Sequence, residues 1–425
     1  MNRLFIALFT LAAIARPASA GPPPPVVPCA ETGTVIPSCG DLVTAGQTVV
    51  YAMVGDTQNN LMRRLARLLR DNTDKKLTLA WFTSGSCANI ATAYTRQNIP
   101  TAQVMSYVPS IAENGTWTPE IPPPPATPMP TCRCTIPAAT PPDVINSALF
   151  NSACPSGEGA VPPFVKLTQG PVQAYVLAVP EASTQTAITF EEAYFVFGFG
   201  TAGMALPWVD EAQMFIRTVS KSTLVAWAKN IGVDPMKWKG VRRDGSPMVV
   251  ADLEGTTSPE QAIGILGAEV YDAERAKLNV LAYKSKGQYY AYYPDSTSTS
   301  FDKKNVRDGH YTVWSPTIWM DYINETTQVA ANLNARYIID IIAGKSVTPA
   351  ASFDTIDPVA KVGLVPDCAM RVTRSFEGGP LSLYTPTQSC TCKYESIVDT
   401  TTCAQCSGSQ PCASGTCRNG YCEVQ

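Results

Sequence analysis

The sequence predicts an α/β protein of two lobes, each a mostly parallel sheet flanked by helices, followed by a small disulfide-rich tail. Three observations carry this. The central part of the chain alternates short β-prone runs with helical patterns, which implies parallel strands joined by helical crossovers. The 425 residues exceed one ordinary domain of roughly 100–200 residues. Beyond Pro366 the hydrophobic periodicity gives way to a stretch dense in Cys, Ser, Thr and Gly, too poor in apolar residues to fold without cross-links.

In chain order, Arg3 precedes an apolar run over residues 4–15 and the small residues Ala18-Ser19-Ala20, the pattern of a cleaved signal peptide over residues 1–20. The run is shorter than the ~20 apolar residues that cross a bilayer, so the expected product is periplasmic or secreted and soluble after cleavage. Residues 21–47 read as a proline- and Cys-containing linker. Export explains the 14 cysteines, because an oxidising compartment turns an even count into disulfides. The competing metal reading of Cys390, Cys392, Cys403 and Cys406 has no nearby histidine, the single one being His310. Spacing leaves the pairing open.

The folded part begins with a β-rich run at residues 48–54, a break at Gly55-Asp56-Thr57, and a helix over 58–70 with Leu61, Leu65, Leu68 and Leu69 on one stripe. The unit repeats at once: strand 77–82, turn Thr83-Ser84-Gly85-Ser86, helix 87–96. Residues 119–142 form a proline-rich surface insert holding Cys132 and Cys134. A third unit has its strand at 212–216, its turn at 217–222 and its helix at 223–230. Residues 289–293 read as an aromatic strand running into a polar loop.

The three turns carry the chemistry. A helix N-terminus offers unpaired N–H groups and about half a positive charge, to which Ser or Thr adds hydroxyl donors. In an open parallel sheet such turns lie together beyond the carboxyl ends of the strands. Ser84, Ser86, Ser222 and Thr223 are the candidate donors, and Arg217 the residue able to make a bidentate charged contact. Each also has an ordinary structural reading: the hydroxyl residues and Asp56 as helix caps, Lys221 as a solvated side chain.

The order of these motifs over residues 48–366 resembles the phosphate-binding component of bacterial ABC transporters, within the type 2 periplasmic-binding-protein superfamily. The matching stretches are Val54-Gly55-Asp56-Thr57, Thr83-Ser84-Gly85-Ser86, Asp143-Val144-Ile145-Asn146-Ser147-Ala148, and residues 217–223 for the family's Arg-x-x-x-Ser-Gly-Thr turn. Ala262-Ile263-Gly264-Ile265-Leu266 is similar to the family's Ala-Ile-Gly-Tyr strand, and Asp308-Gly309-His310-Tyr311 to its hinge region. The resemblance implies a Venus-flytrap fold, with lobe one at 48–178 and 281–366, lobe two at 179–280, and 367–425 as a tail outside the family pattern. It implies a binding set of Asp56, Thr57, Ser84, Gly85, Ser86, Ser147, Arg217, Lys221, Ser222 and Thr223. Lys221 and Ser222 stand where the family has Ser-Gly. Ala148 stands where the family has an Asp that accepts a proton from the ligand, which leaves Asp56 as the acceptor and Lys221 as added positive charge.

The expected function is capture of a small oxyanion, most of all phosphate, for ABC-type uptake through a permease, by a monomer without metal or cofactor. A balance of 32 basic and 35 acidic residues, net charge -3, lacks the basic footprint of nucleic-acid binding. A hydrolase is disfavoured by the single histidine and the lack of a Gly-x-Ser-x-Gly elbow around Ser84 or Ser86. The alternative is a secreted or surface interaction protein that keeps the binding fold without transport, a reading favoured by the tail and the proline insert.

Overall fold

The computed structural model describes residues 29, 36–109, 131–398, 400–408 and 410–423. The signal-peptide expectation, most of the linker before residue 36 and the first part of the proline insert lie outside the described residues. Helices and strands follow in the order α1 Cys39–Thr44, β1 Val49–Gly55, α2 Asn59–Asp71, β2 Thr78–Ser84, α3 Ser86–Thr95, β3 Val104–Tyr107, β4 Cys132–Thr135 and β5 Val144–Ser147. The long β6, Val165–Pro180, leads into β7 Ala187–Thr189, α4 Phe190–Phe199, β8 Met214–Arg217, α5 Ser222–Ile231, β9 Val241–Arg243 and α6 Ser246–Gly255. Then come β10 Ile263–Gly267, α7 Ala268–Ala273, β11 Leu278–Val280, β12 Ala282–Lys284, α8 Lys304–Arg307, β13 Trp314–Tyr322, α9 Leu333–Ile342 and α10 Asp357–Ala360. The tail holds a short pair β14 Val372–Thr373 and β15 Ser382–Leu383, α11 Thr391–Ile397, and a second pair β16 Thr416–Arg418 and β17 Tyr421–Glu423.

The units expected from periodicity are present. β1 and β2 run parallel in unbroken register from Val49 opposite Thr78 to Gly55 opposite Ser84. α2 turns Leu61, Leu65 and Leu69 into the core at four-residue spacing. α5 ends on Gly232 at φ 69°, the left-handed conformation that suits a glycine C-terminal to a helix.

One curled sheet runs in the order β4-β3-β2-β1-β5-β13-β6-β10-β8-β9, with β11 also on β6. Each lobe holds a parallel patch, β2-β1-β5 in the first, extended by the antiparallel β3 and β4, and β10-β8-β9 in the second. The antiparallel β6 and β13 join them. The first half of β6 pairs with β13, and its second half, from Tyr175 on, pairs with β10 and β11. The chain therefore crosses between lobes within β6 and again near Val313, whose carbonyl accepts from the Tyr175 N–H.

This differs from the expected return at residue 281. β12 still pairs with β7, and Lys303 still bonds Asp272 and Asp295, both within the second lobe. The aromatic run also differs: it forms no strand, because the chain turns at Gly287 (φ 85°) and only Tyr292 bridges to Tyr283. Tyr289 and Tyr290 stand exposed.

All 14 cysteines are paired. Cys29–Cys132 and Cys39–Cys134 tie the linker to β4, and Cys87–Cys154 ties the start of α3 to the loop after β5. Cys368–Cys390, Cys392–Cys403, Cys406–Cys417 and Cys412–Cys422 hold the tail. The tail is not a free knob, for Cys390 and Tyr394 are part of the second lobe's core and Arg307 of that lobe pairs with Glu395 at 2.9 Å.

Tyr394 is fully buried beneath the Arg307 guanidinium. Tyr394→Ala should cost about 3–5 kcal/mol in denaturant unfolding, the range for deleting a large core ring. A cost below about 0.5 kcal/mol, the usual effect at an uninvolved surface position, would mean that the tail folds apart from the lobes.

Candidate functional site

The carboxyl ends of β1, β2, β5, β8 and β10 meet where the two lobes face each other, and each ends in a turn leading to a helix start or a loop. Gly55 illustrates the crowding: a Cβ there would lie 3.6–3.7 Å from Thr57 Oγ1, Asn146 Oδ1 and Ser86 Oγ. The lobes touch. The Cys87 N–H donates to the Ser220 carbonyl across the cleft. A Cβ at Gly85 would come within 2.7 Å of Ser220 Oγ, so glycine permits the approach.

At the centre Arg217, the last residue of β8, has no solvent exposure. Its Nε donates to the Arg243 carbonyl and its Nη1 to Ser246 Oγ at 2.6 Å, while Nη2 meets Asp56 Oδ2 at 2.6 Å. Ser246 also donates to that Asp56 oxygen at 3.1 Å. Asp56 comes from the first lobe, Arg217 and Ser246 from the second. A buried guanidinium requires a paired counter-charge, and the opposite lobe supplies it.

The helix starts around this pair lack side-chain caps. α3 begins after Gly85, α5 after Lys221 and α6 after Gly245, none with a capping hydrogen bond from a side chain. α4 and α9, which begin elsewhere, are capped by Thr189 and Asn332. The cleft helices thus keep their N–H groups and positive dipole ends free of a competing side-chain oxygen.

The predicted residues fall into distinct roles. Ser86 is buried, and its Oγ accepts from the Ala148 N–H at 3.0 Å. Ser222 is buried beside the Tyr175 hydroxyl, and Thr223 Oγ1 is buried without a hydrogen-bond partner. Thr57 is buried, with Gln58 Nε2 donating to its Oγ1 at 3.4 Å. Ser84 ends β2 opposite Gly55, and Gly85 presses on Ser220. Two depart from the expected arrangement. Ser147 donates its hydroxyl to the Leu149 carbonyl at 2.9 Å, a turn contact that withdraws it from the cleft. Lys221 is neither solvated nor centred on the cleft: it is buried and pairs with Asp244 at 3.4 Å.

The sequence reading missed an inner wall. Gln58 Nε2 donates to Gln173 Oε1 at 3.1 Å, Gln173 Nε2 donates to Glu269, and the Tyr175 hydroxyl donates to the Ala148 carbonyl. Gln58 Oε1 and Glu269 Oε1 are buried and unpartnered. The signal for Ser246 and Glu269 was available, since Gly245-Ser246 and Gly267-Ala268-Glu269 are further strand-to-helix turns. Burial pushes the Glu269 carboxyl from 4.5 up to about 8, against the lowering effect of its own N–H and of Gln173. His310 lies exposed, stacked on Tyr292 at 4.8 Å. Among the described residues no helix is long and apolar enough to cross a membrane.

No family model matches the chain. A 90-residue stretch is 33% identical to a glutamine-hydrolysing GMP synthase of Teredinibacter turnerae; this is 20% of the chain, and it spans 16% of that protein's length. Among solved structures, the fold is similar to a phosphate ABC transporter substrate-binding protein with bound phosphate from Clostridium perfringens, at TM-score 0.50 and 13% identity, covering 75% of this chain and 99% of that one. An ABC-type phosphate transport receptor from Vibrio cholerae aligns at TM-score 0.43 and 12% identity, over 74% of this chain and 99% of that one. The reduced OxyR regulatory domain from Pseudomonas aeruginosa aligns at 0.38 and 7%, over 69% and 92%. The likeness is one of fold: this chain has the two-lobed α/β architecture of periplasmic binding proteins.

Because Glu269 holds its proton in the folded state up to about pH 8 and loses it near 4.5 when unfolded, its contribution to stability is full below about pH 4.5 and is lost as pH rises toward 8. Glu269→Gln removes that slope. The melting temperature of the variant relative to wild type should rise steadily from about pH 5 to about pH 8. A difference that does not change with pH would show that Glu269 does not titrate in this window.

Proposed function

We propose that this chain is a solute-binding protein that captures a small oxyanion, phosphate in preference to sulfate, between its two lobes. The observation that carries the reading is a buried arginine, paired with a carboxylate from the opposite lobe and ringed by uncapped helix starts. A neutral ion pair adds little net charge, so the attraction for an anion comes from the first-turn N–H groups of α3, α5 and α6. The hydroxyls of Ser86, Ser222 and Thr223 join them, Thr223 with no other bond to give up.

Asp56 sets the selectivity. A carboxylate at the anion site accepts a hydrogen bond from a protonated oxyanion and repels one that has no proton to give. Hydrogen phosphate meets that condition at neutral pH, and sulfate does not. Arg217, whose donors go to Asp56, Ser246 and the Arg243 and Asp244 carbonyls, positions Asp56 and exchanges one of these partners for the ligand. The phosphate-binding neighbour from Clostridium perfringens supports the ligand class, and with it uptake through an ABC-type permease. Binding rather than catalysis fits a cleft whose hydroxyls have no histidine beside them, His310 being stacked on Tyr292 outside it.

Calorimetric titration of the purified protein with phosphate, sulfate, molybdate and a neutral sugar tests this. Phosphate should bind most tightly and the sugar not at all. Arg217→Ala should weaken phosphate binding more than any single Ser→Ala change, because it removes a charged contact worth about 1.5–3 kcal/mol, roughly 10- to 150-fold in affinity. Absence of binding to every anion would remove the function while leaving the fold.

A further inference from the structure

The loop that the Cys368–Cys390 disulfide closes lies against both lobes and the strand between them. Its base is tied down: the Arg371 N–H donates to the Arg307 carbonyl, and β14 pairs with β15. Arg374 lies over the Trp314 ring at 4.2 Å and donates to the Thr312 and Trp314 carbonyls, where the chain crosses from the second lobe into β13.

The tip reaches further. Glu377 is buried, and its Oε2 accepts from Ser315 Oγ on β13 at 2.7 Å. The Phe150 N–H, on the first-lobe segment that follows β5, and Lys229 of α5 in the second lobe both favour the charged form of Glu377, whose Oε1 is buried without a hydrogen-bond partner. Gly378, at φ 70°, sits directly on α5: a Cβ there would lie 3.2 Å from the Lys229 carbonyl.

We propose that the 368–390 loop is a latch that holds the lobes closed, with Glu377 engaging the first lobe, the crossover strand and the second lobe at once. The lobes part by a hinge motion about β6 and β13, as two-lobed binding folds do. Parting must draw Phe150 and Lys229 away from each other. A buried carboxylate between them then loses one of its partners, which is unfavourable because few other donors can replace it. The closed arrangement, already fastened by Asp56 and Arg217, is favoured by the loop whether or not a ligand is present. This inference rests on the loop's contacts and not on the identity of the ligand.

Small-angle X-ray scattering of the full chain in anion-free buffer tests it, with circular dichroism as the check on folding. The wild type should be compact. Glu377→Ala should shift the radius of gyration upward, and Glu377→Gln, which keeps an acceptor for Ser315, should not. If Glu377→Ala does not fold, Ser315→Ala, which removes the crossover-strand contact alone, should give the same shift. An open wild type, or a folded contact-deleting variant as compact as the wild type, would overturn the latch.

Discussion

The closed cleft centres on a buried ion pair between the lobes, Arg217 with Asp56. Arg217 is buried at the end of β8 with its remaining donors committed to Ser246 and to the Arg243 and Asp244 carbonyls. A guanidinium so placed is tolerable only with a counter-charge close by. Among the described residues the carboxylate oxygen paired with it comes from Asp56, in the turn after β1 of the opposite lobe. Closing the lobes therefore completes the electrostatics of the second lobe, and the same act brings the helix starts of α3, α5 and α6 around one point.

The proposed capture of an anion by a chain of net charge -3 rests on what surrounds the pair. The N–H groups of helix starts are fixed dipoles that need no lysine. α3, α5 and α6 begin without a side-chain cap, as α10 and α11 do elsewhere, and the Cys87 N–H of α3 goes to the Ser220 carbonyl, so the remaining first-turn N–H groups are the ones left for a ligand. On the inner wall, Gln58, Gln173 and Glu269 form a buried chain of amides and a carboxyl that burial keeps protonated well above the usual carboxylate range. A neutral Glu269 adds no repulsion at the proposed anion site.

Much of this was legible in the sequence, for reasons that also mark where legibility ended. The strand–turn–helix units announce themselves through leucine spacing and small polar turns, so β1, β2, α2, α3 and α5 stand where periodicity put them. Arg217 and Asp56 were recognisable as chemistry, but not as partners, because residues 161 apart in the chain are joined only by the closed fold. Ser246 follows a strand of three residues, too short for periodicity to register. Gln173 and Tyr175 lie on the crossover strand β6, whose apolar run reads simply as core. The aromatic run at 289–293 misled because β-prone residues do not make a strand without a neighbour to pair with.

The most direct test of the account is the ratio of phosphate to sulfate affinity in Asp56→Asn compared with wild type, by calorimetry at neutral pH. If Asp56 is both the closing contact and the acceptor of the ligand's proton, the wild type favours phosphate, and the amide, which repels neither anion, moves the preference toward sulfate by about tenfold or more, roughly 1.4 kcal/mol. A ratio unchanged by the substitution would contradict that role and leave Asp56 as a closing contact alone.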